Sequence, residues 1–403
     1  MTYDAIIIGA GPAGGVSALM LARAGWSVAV VEKTEFPRRK VCGEFMSATN
    51  MPLFAELGLA EAILDRSGPD IRRVGLYARD AVLSAPMPSP AASRGQPGHG
   101  WGRALGREVL DTLLLDRAEA AGAVRLQPWS VAERRREGNL HRCTLSRRGE
   151  TTEIAAPVLI DAHGSWDRSA EPAHRPSDML GFKAHFHGAR LAADLMPVLV
   201  FPGGYGGLVT SSDDRVCFGC CIRRDVLEQA RGAFQGSAAE AVLDYVSSAC
   251  RGVSQVLAGA TLAGPWLATG PIHPGIRARY ADGVFRVGNA AGEAHPLVGE
   301  GMSMAMQAAW LLAGALIRDR GAELDAVGRI YAAAWRRRFA PRIVAARDGV
   351  AAAAGVKAAA VAADLWRRAQ RQDADGCGGL RQGQGAPPPG LALSLVHRGV
   401  DEA

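Results

Sequence analysis

The sequence predicts an α/β fold: a three-layer unit on a parallel sheet, interleaved with a mostly antiparallel β-sheet unit, then a C-terminal helical segment. Three observations predict it. A strand, a glycine turn, a helix and a second strand open the chain. Strand-like runs fill its middle, and an aromatic stripe at four-residue spacing marks its end. With 403 residues and 48% hydrophobic content, the chain suffices for two or three packed units with a sizeable core.

The first element is "DAIIIGAGPAGG", a short apolar strand running into Gly9, Gly11 and Gly14. A helix over "GVSALMLARAGW" and a strand over "SVAVVEK", ending in Glu32, follow. Gly9 makes the tight turn, Gly11 lets the backbone approach a pyrophosphate, and Gly14 lets the helix pack on the strand. The helix start then offers unpaired N–H groups to phosphates. Glu32, 18 residues beyond Gly14, is placed to accept hydrogen bonds from a ribose. This is a Rossmann-like dinucleotide site. An acid at the strand end argues against a 2′-phosphate, which leaves FAD or NAD.

Further segments narrow that choice. "GREVLDTLLLDRAEAAGA" sets Arg107, Asp111 and Leu114 in the order R-x-x-x-D-x-x-L, and "VLIDAHGSWDRS" is a strand ending in a glycine turn. "VGNAAGEAHPLVGEGMSMAMQ" (287–307) runs from a strand end into an apolar helix. In this order the motifs resemble the FAD-dependent monooxygenase superfamily, which includes p-hydroxybenzoate hydroxylase, geranylgeranyl reductases and flavin-dependent halogenases. "PRRKVCGEF" is most similar to the geranylgeranyl-reductase branch, where a C-G pair lies beside the flavin. The resemblance covers roughly residues 1–320.

By position, the resemblance implies FAD contacts from Ala13, Gly14 and Glu32, and from the backbone around Cys42 and Gly43. Arg107 matches a residue near the ribityl–pyrophosphate region, and Val131 a strand contact. Gly288 and Asn289 would meet the ribityl chain. Gly301 and Met302 would lie under the pyrimidine edge, at a helix start carrying about half a positive charge. Glycine at 299 and 301 allows that approach. Two positions depart from the family. Asn289 stands where relatives carry aspartate, keeping one carbonyl acceptor and losing the charge. His163 stands where they read A-D-G. NAD(P)H is the implied transient electron donor, and the two replaced acids keep a separate flavin reductase open as the partner.

The middle strands are read in "LGFKAHFHG", "PVLVFPGGYGGLVT" and "RVCFGCCIRR", a sheet expected to roof the flavin. "GGYGGL" resembles the reductase branch's G-Y-G turn, making Tyr205 and Gly206 candidate substrate contacts. His295 is a candidate for proton transfer, as an imidazole titrating near neutrality. Glu44 and Glu300 flank the flavin-edge loops as candidate acid–base groups. His185 and His187 share a strand face, but no third ligand is evident, and no metal is expected. In "CFGCC", alternation turns Cys217 and Cys221 one way and Cys220 the other. The division expected is residues 1–170 with 271–320 for FAD, 171–270 for the substrate sheet, 321–371 for helices and 372–403 as a flexible tail. Tyr331, Trp335 and Phe339 form the stripe that packs the helical segment on the body.

Composition excludes other classes. Only four of the 46 basic residues are lysines, and no aromatic-interleaved basic run suggests nucleic acid. Residues 301–317 are short for a membrane span and read as a core helix. No signal peptide is evident, and seven cysteines without one argue against a disulfide framework, so a cytoplasmic protein is expected. The leading reading is a monooxygenase using O2 to hydroxylate an electron-rich aromatic or lipid-like small molecule of secondary metabolism. Hydride transfer to or from a carbon–carbon bond is the alternative. A halogenase ranks third because W-x-W-x-I-P is absent, and a flavin-binding protein without turnover stays open.

Overall fold

The computed structural model describes residues 1–87, 100–165, 175–232 and 234–353. Its centre is the opening unit: strand β1 (Ala5–Ile8), helix α1 (Pro12–Arg23) and strand β2 (Val28–Val31). The parallel sheet runs Val284–Arg286, Val158–Asp161, β1, β2, Val124–Leu126, with Tyr280–Ala281 antiparallel at one edge. Both faces of this sheet are buried, so its strands read as unbroken apolar runs. Ile7, Val28, Val30 and Ile160 face α1 and the helices Arg107–Ala120 and Gly301–Arg318. Ile6, Ala29, Val31 and Leu159 face an antiparallel layer of Ser130–Glu137, Leu140–Arg147 and Glu150–Ala156. Those are the three expected layers.

The larger sheet runs Thr261–Leu262, Met179–His187, Val216–Arg223, Gly204–Thr210, Leu195–Phe201, Arg73–Ala78, Ala81–Pro86, and Leu267–Ile272 also pairs with Met179–His187. It is antiparallel except where Leu195–Phe201 meets Arg73–Ala78. The division expected from sequence gives residues 1–170 wholly to the first unit, yet the hairpin 73–86 belongs to this sheet. "GGYGGL" also differs, because Gly204–Thr210 is strand rather than turn. Helices Arg224–Gly232, Ala238–Ala249 and Arg251–Leu257 cover the outer face, where Phe182, Phe201, Leu208, Phe218 and Cys220 form a separate core. Cys217 and Cys221 point to the inner face, as alternation requires.

Residues 301–317 form a core helix as expected, and among the described residues no helix is long and apolar enough to cross a membrane. The last described element is the helix Leu324–Ala353. Its stripe of Tyr331, Trp335 and Phe339 is buried, and the Tyr331 hydroxyl donates to the Arg286 carbonyl at 2.8 Å. The expected helix beyond 353 and the tail 372–403 lie outside the described residues.

Candidate functional site

A cavity of about 1310 Å³ lies between the parallel sheet's strand ends and the inner face of the larger sheet. It exceeds the usual range for one small ligand, roughly 300–1,000 Å³, so a dinucleotide and a second molecule fit together. Gly9, Gly11, Ala13, Glu32, Cys42, Gly43, Glu44, Arg107, Val131, Tyr205, Gly206, Gly288, Asn289, Gly299, Gly301 and Met302 all line it. Residues from eight separate stretches of sequence thus meet around one cavity. Gly14, His295 and Glu300 do not line it.

Gly14 acts beneath the turn. A Cβ there would stand 1.8 Å from the Gly9 carbonyl oxygen, so helix and turn close only around glycine. Gly9 itself has φ +98°, which disfavours any side chain. Helix α1 starts without a side-chain cap, as does Gly301–Arg318, and both starts open on the cavity. Two positive helix ends therefore point at one space. Cβ atoms at Gly43 and Gly301 would meet nothing within 4 Å, leaving room for a closely approaching ligand.

Glu32 is fixed at the end of β2. Its carboxylate accepts from the Ala10 and Thr34 amides at 3.1 and 3.0 Å and pairs with Arg38 at 3.4 Å. Arg107 forms a bidentate pair with buried Asp111, both distances 2.7 Å, and its guanidinium lies beside Gly11. Lys40 stands in the same basic wall. Burial, with Arg107 and Arg38 nearby, lowers its ammonium to about 8.

His163 pairs through Nδ1 with Asp161, which also meets Arg134 at 3.4 Å. The strand-end acid is thereby occupied from within the chain. Burial of Asp161 opposes ionisation, but His163 and Arg134 together hold its carboxyl below the usual range.

The candidates behind the flavin-edge loops differ sharply. Glu300 is buried, and its carbonyl accepts from the Met304 amide at the start of the Gly301–Arg318 helix. His295 packs on Tyr205 with ring centroids 4.9 Å apart. Burial pushes His295 down to about 4, so it is neutral at physiological pH, and its Nδ1 has no hydrogen-bond partner among the described residues. The Tyr205 phenol is raised well above its usual value by burial and the neighbouring Cys221. Gly206 offers backbone alone.

Glu44 is fully buried with φ +62°, and its Oε1 accepts from Lys183 Nζ at 2.5 Å and His185 Nε2 at 3.0 Å. Arg39 reaches His185 Nδ1 at 2.6 Å, and Lys183 also donates to the Lys40 carbonyl at 3.3 Å. Burial alone would raise the Glu44 carboxyl, but the His185 hydrogen bond and the Lys183 charge hold it near 2. The sequence marks Glu44 as a candidate acid–base group and gives no sign of Lys183 as its partner. The third group missed beside His185 is also here: Glu44, His185 and Cys217 bring potential ligand atoms within 4.8 Å of one another. The Lys183 ammonium already stands beside that carboxylate as its counter-cation. His187, one repeat further on, is exposed.

Comparison with known proteins agrees with this cradle. A family model described as "FAD binding domain" matches residues 2–206. Digeranylgeranylglycerophospholipid reductase 1 of Methanopyrus kandleri is 27% identical over 333 residues, 76% of this chain and 78% of the relative. Among solved structures, a myxobacterial chondrochloren halogenase superposes with a TM-score of 0.72 at 21% identity, covering 84% of this chain and 80% of the other. PqsL from Pseudomonas aeruginosa, titled "a probable FAD-dependent monooxygenase", does so at 0.69 and 18% identity, covering 93% and 100%. At those identities the likeness is one of fold. The matched model spans half of the chain, including the glycine turn, Glu32 and Arg107, and the chain belongs to the FAD binding domain family, within the FAD-dependent monooxygenase superfamily.

Proposed function

We propose that this FAD-dependent oxidoreductase saturates a carbon–carbon double bond in a long, apolar, isoprenoid-like substrate. One observation carries the reading. The wall that the larger sheet gives the cavity, residues 182, 196–198, 205–209, 219–221, 269 and 271–272, contains no charged side chain. At its centre Gly207, register partner of Gly219, leaves a flat floor for a slim chain beside the Cys42–Gly43 loop that approaches Gly219. The reductase relative, similar over three quarters of this chain, supports the same substrate class.

FAD bound in the cradle would supply the two-electron chemistry. The uncapped helix starts at Pro12 and Gly301 bind and orient it, with Gly9, Gly11, Ala13, Glu32, Cys42, Gly43, Arg107, Val131, Gly288, Asn289, Gly299 and Met302 as its contacts. The apolar wall excludes water from the second chamber. Tyr205, a cavity-lining phenol that is protonated at physiological pH and packs its ring on His295, is the group assigned to give the substrate carbon its proton. Glu44 and Glu300 then have structural rather than acid–base duties. Electrons arrive from NAD(P)H or from a separate flavin reductase.

The second reading is hydroxylation of a phenolic substrate with O2. The likeness in fold to PqsL, titled "a probable FAD-dependent monooxygenase", favours it, while His295, neutral and packed behind Tyr205, stands outside the cavity lining and does not itself meet the substrate.

One experiment separates the two. FAD-loaded protein, reduced with NADPH or with dithionite, is given a geranylgeranyl lipid or a lipid phenol, without oxygen or under 18O2. A product gaining two hydrogens without oxygen supports the first reading. A product carrying 18O, with nothing formed anaerobically, replaces it with the second. Bleaching by dithionite but not by NADPH assigns electron supply to a partner.

A further inference from the structure

Asn289 is the hub of a polar cluster at the cavity wall, built on the buried carboxylate of Glu293. Its Nδ2 donates to Ser165 Oγ at 2.9 Å and to Glu293 Oε1 at 3.2 Å. Ser165 donates to the same Glu293 oxygen at 2.9 Å. Arg277 closes the ring, with Nη2 donating to Glu293 Oε2 at 3.2 Å and Nη1 to the main-chain carbonyl of Asn289 at 2.8 Å. All four residues line the cavity, and Glu293 is only 6% exposed.

Two consequences follow from hydrogen-bond chemistry. A carboxamide whose nitrogen is held by a carboxylate and a hydroxyl has its oxygen on the opposite edge, available to a hydroxyl donor. A carboxylate in its place would stand about 3 Å from Glu293, with one guanidinium between two acids. Like charges that close cannot both ionise, and one would keep its proton.

We propose that Glu293 is a positioning residue. Directly and through Ser165 it fixes the Asn289 carboxamide, and through Arg277 the Asn289 main chain, with the side-chain carbonyl turned to the hydroxyl-bearing chain of FAD, and it makes an uncharged side chain a requirement at position 289. The site's negative charge thus resides one helical turn's spacing further along the chain, paired with Arg277. The cofactor role rests on the reading of the cavity as the FAD site. Besides Arg277, the titratable groups facing Glu293 are His273, Tyr205 and Cys221. Burial of Glu293 opposes its ionisation, and Ser165, Arg277 and His273 favour it.

The test uses the full chain as wild type, Asn289→Asp, Glu293→Gln and the double variant. FAD affinity is titrated by flavin fluorescence at pH 5.5 and 8.5 and expressed as a ratio to wild type at each pH. Asn289→Asp should bind at least about tenfold more weakly at pH 8.5 and recover at pH 5.5, where one acid is protonated. The double variant should return to within about threefold of wild type at both pH values, because the new carboxamide at position 293 can donate to the new carboxylate at position 289. Glu293→Gln alone should weaken binding similarly at both pH values. Wild-type affinity in Asn289→Asp at pH 8.5, or no rescue in the double variant, overturns the proposal. If wild type takes up no FAD, the cavity reading and the cofactor role fail together. The charge requirement is then judged on melting temperature. Asn289→Asp should lose stability from pH 5.5 to 8.5 relative to wild type, and equal melting of Asn289→Asp and the double variant at pH 8.5 overturns that part too.

Discussion

Lys183 and Glu44, both fully buried, are joined at 2.5 Å although 139 residues separate them. One lies on the inner face of the larger sheet and the other at the end of the Cys42–Gly43 loop, so the pair fixes that loop against the sheet. Truncating one partner of a buried pair leaves the other charge stranded, at a cost of about 3–5 kcal/mol. Lys183→Met should lose stability on that scale in urea unfolding, and Lys183→Met with Glu44→Gln should recover much of it. A loss below about 1 kcal/mol in the single variant would rule out the clamp.

Acid stability should show two separate limbs. Glu44 ionises near 2 in the folded state and near 4.5 unfolded, so its contribution is present above 4.5 and lost as pH falls towards 2. His295 is lowered to about 4 from 6.5, so the unfolded chain takes up that proton first and stability falls from 6.5 to 4. Glu44→Gln should remove the lower limb and His295→Asn the upper. Melting temperatures across pH 3–8 would read both, and an unchanged upper limb in His295→Asn refutes that assignment.

Two glycines of the cradle should fail in opposite ways. Gly14→Ala places a Cβ 1.8 Å from a backbone oxygen, and should unfold at markedly lower temperature. Gly301→Ala meets open space at a helix start, and should melt at the same or slightly higher temperature, by roughly 0.5–1 kcal/mol of helix propensity. Its defect should be weaker FAD binding, read by fluorescence titration. Unchanged affinity would mean that no ligand approaches Gly301 closely.

Gly207→Val should separate the two chambers of the cavity. The added side chain would extend from the sheet's inner face, where a Cβ has only the Pro197 carbonyl at 3.4 Å as neighbour. The flavin spectrum and FAD affinity should persist while turnover of a long substrate falls by about tenfold or more. Equal loss of FAD would place the flavin, not the substrate, against that strand.

What the sequence made legible was local. The strand, glycine turn and helix through Gly14, and Glu32 beyond, lie within a single span whose spacing is set by geometry, so the cradle could be read directly. The Tyr331 stripe was legible for the same reason, as a helical period. The hairpin 73–86 was not, because period-two alternation is identical whichever sheet a strand joins. Lys183 was not, since a lysine in an apolar strand declares a partner but not its position. The Gly-Tyr-Gly stretch misled as a turn because glycine also marks strands that another backbone approaches closely, as at Gly206, where a Cβ would stand 2.5 Å from the Gly219 carbonyl oxygen.

Among the described residues the chain leaves the parallel sheet for the larger one before Arg73, returns by Arg103, leaves again before Met179 and comes back after Ile272. Neither unit is a continuous cassette. A fragment holding only 171–270 would lack the Arg73–Pro86 edge and expose the strand Leu195–Phe201. Exchanging substrate units between relatives by a single cut-and-paste should therefore yield insoluble protein. Change in specificity has to come through substitutions on the inner face, one side chain at a time.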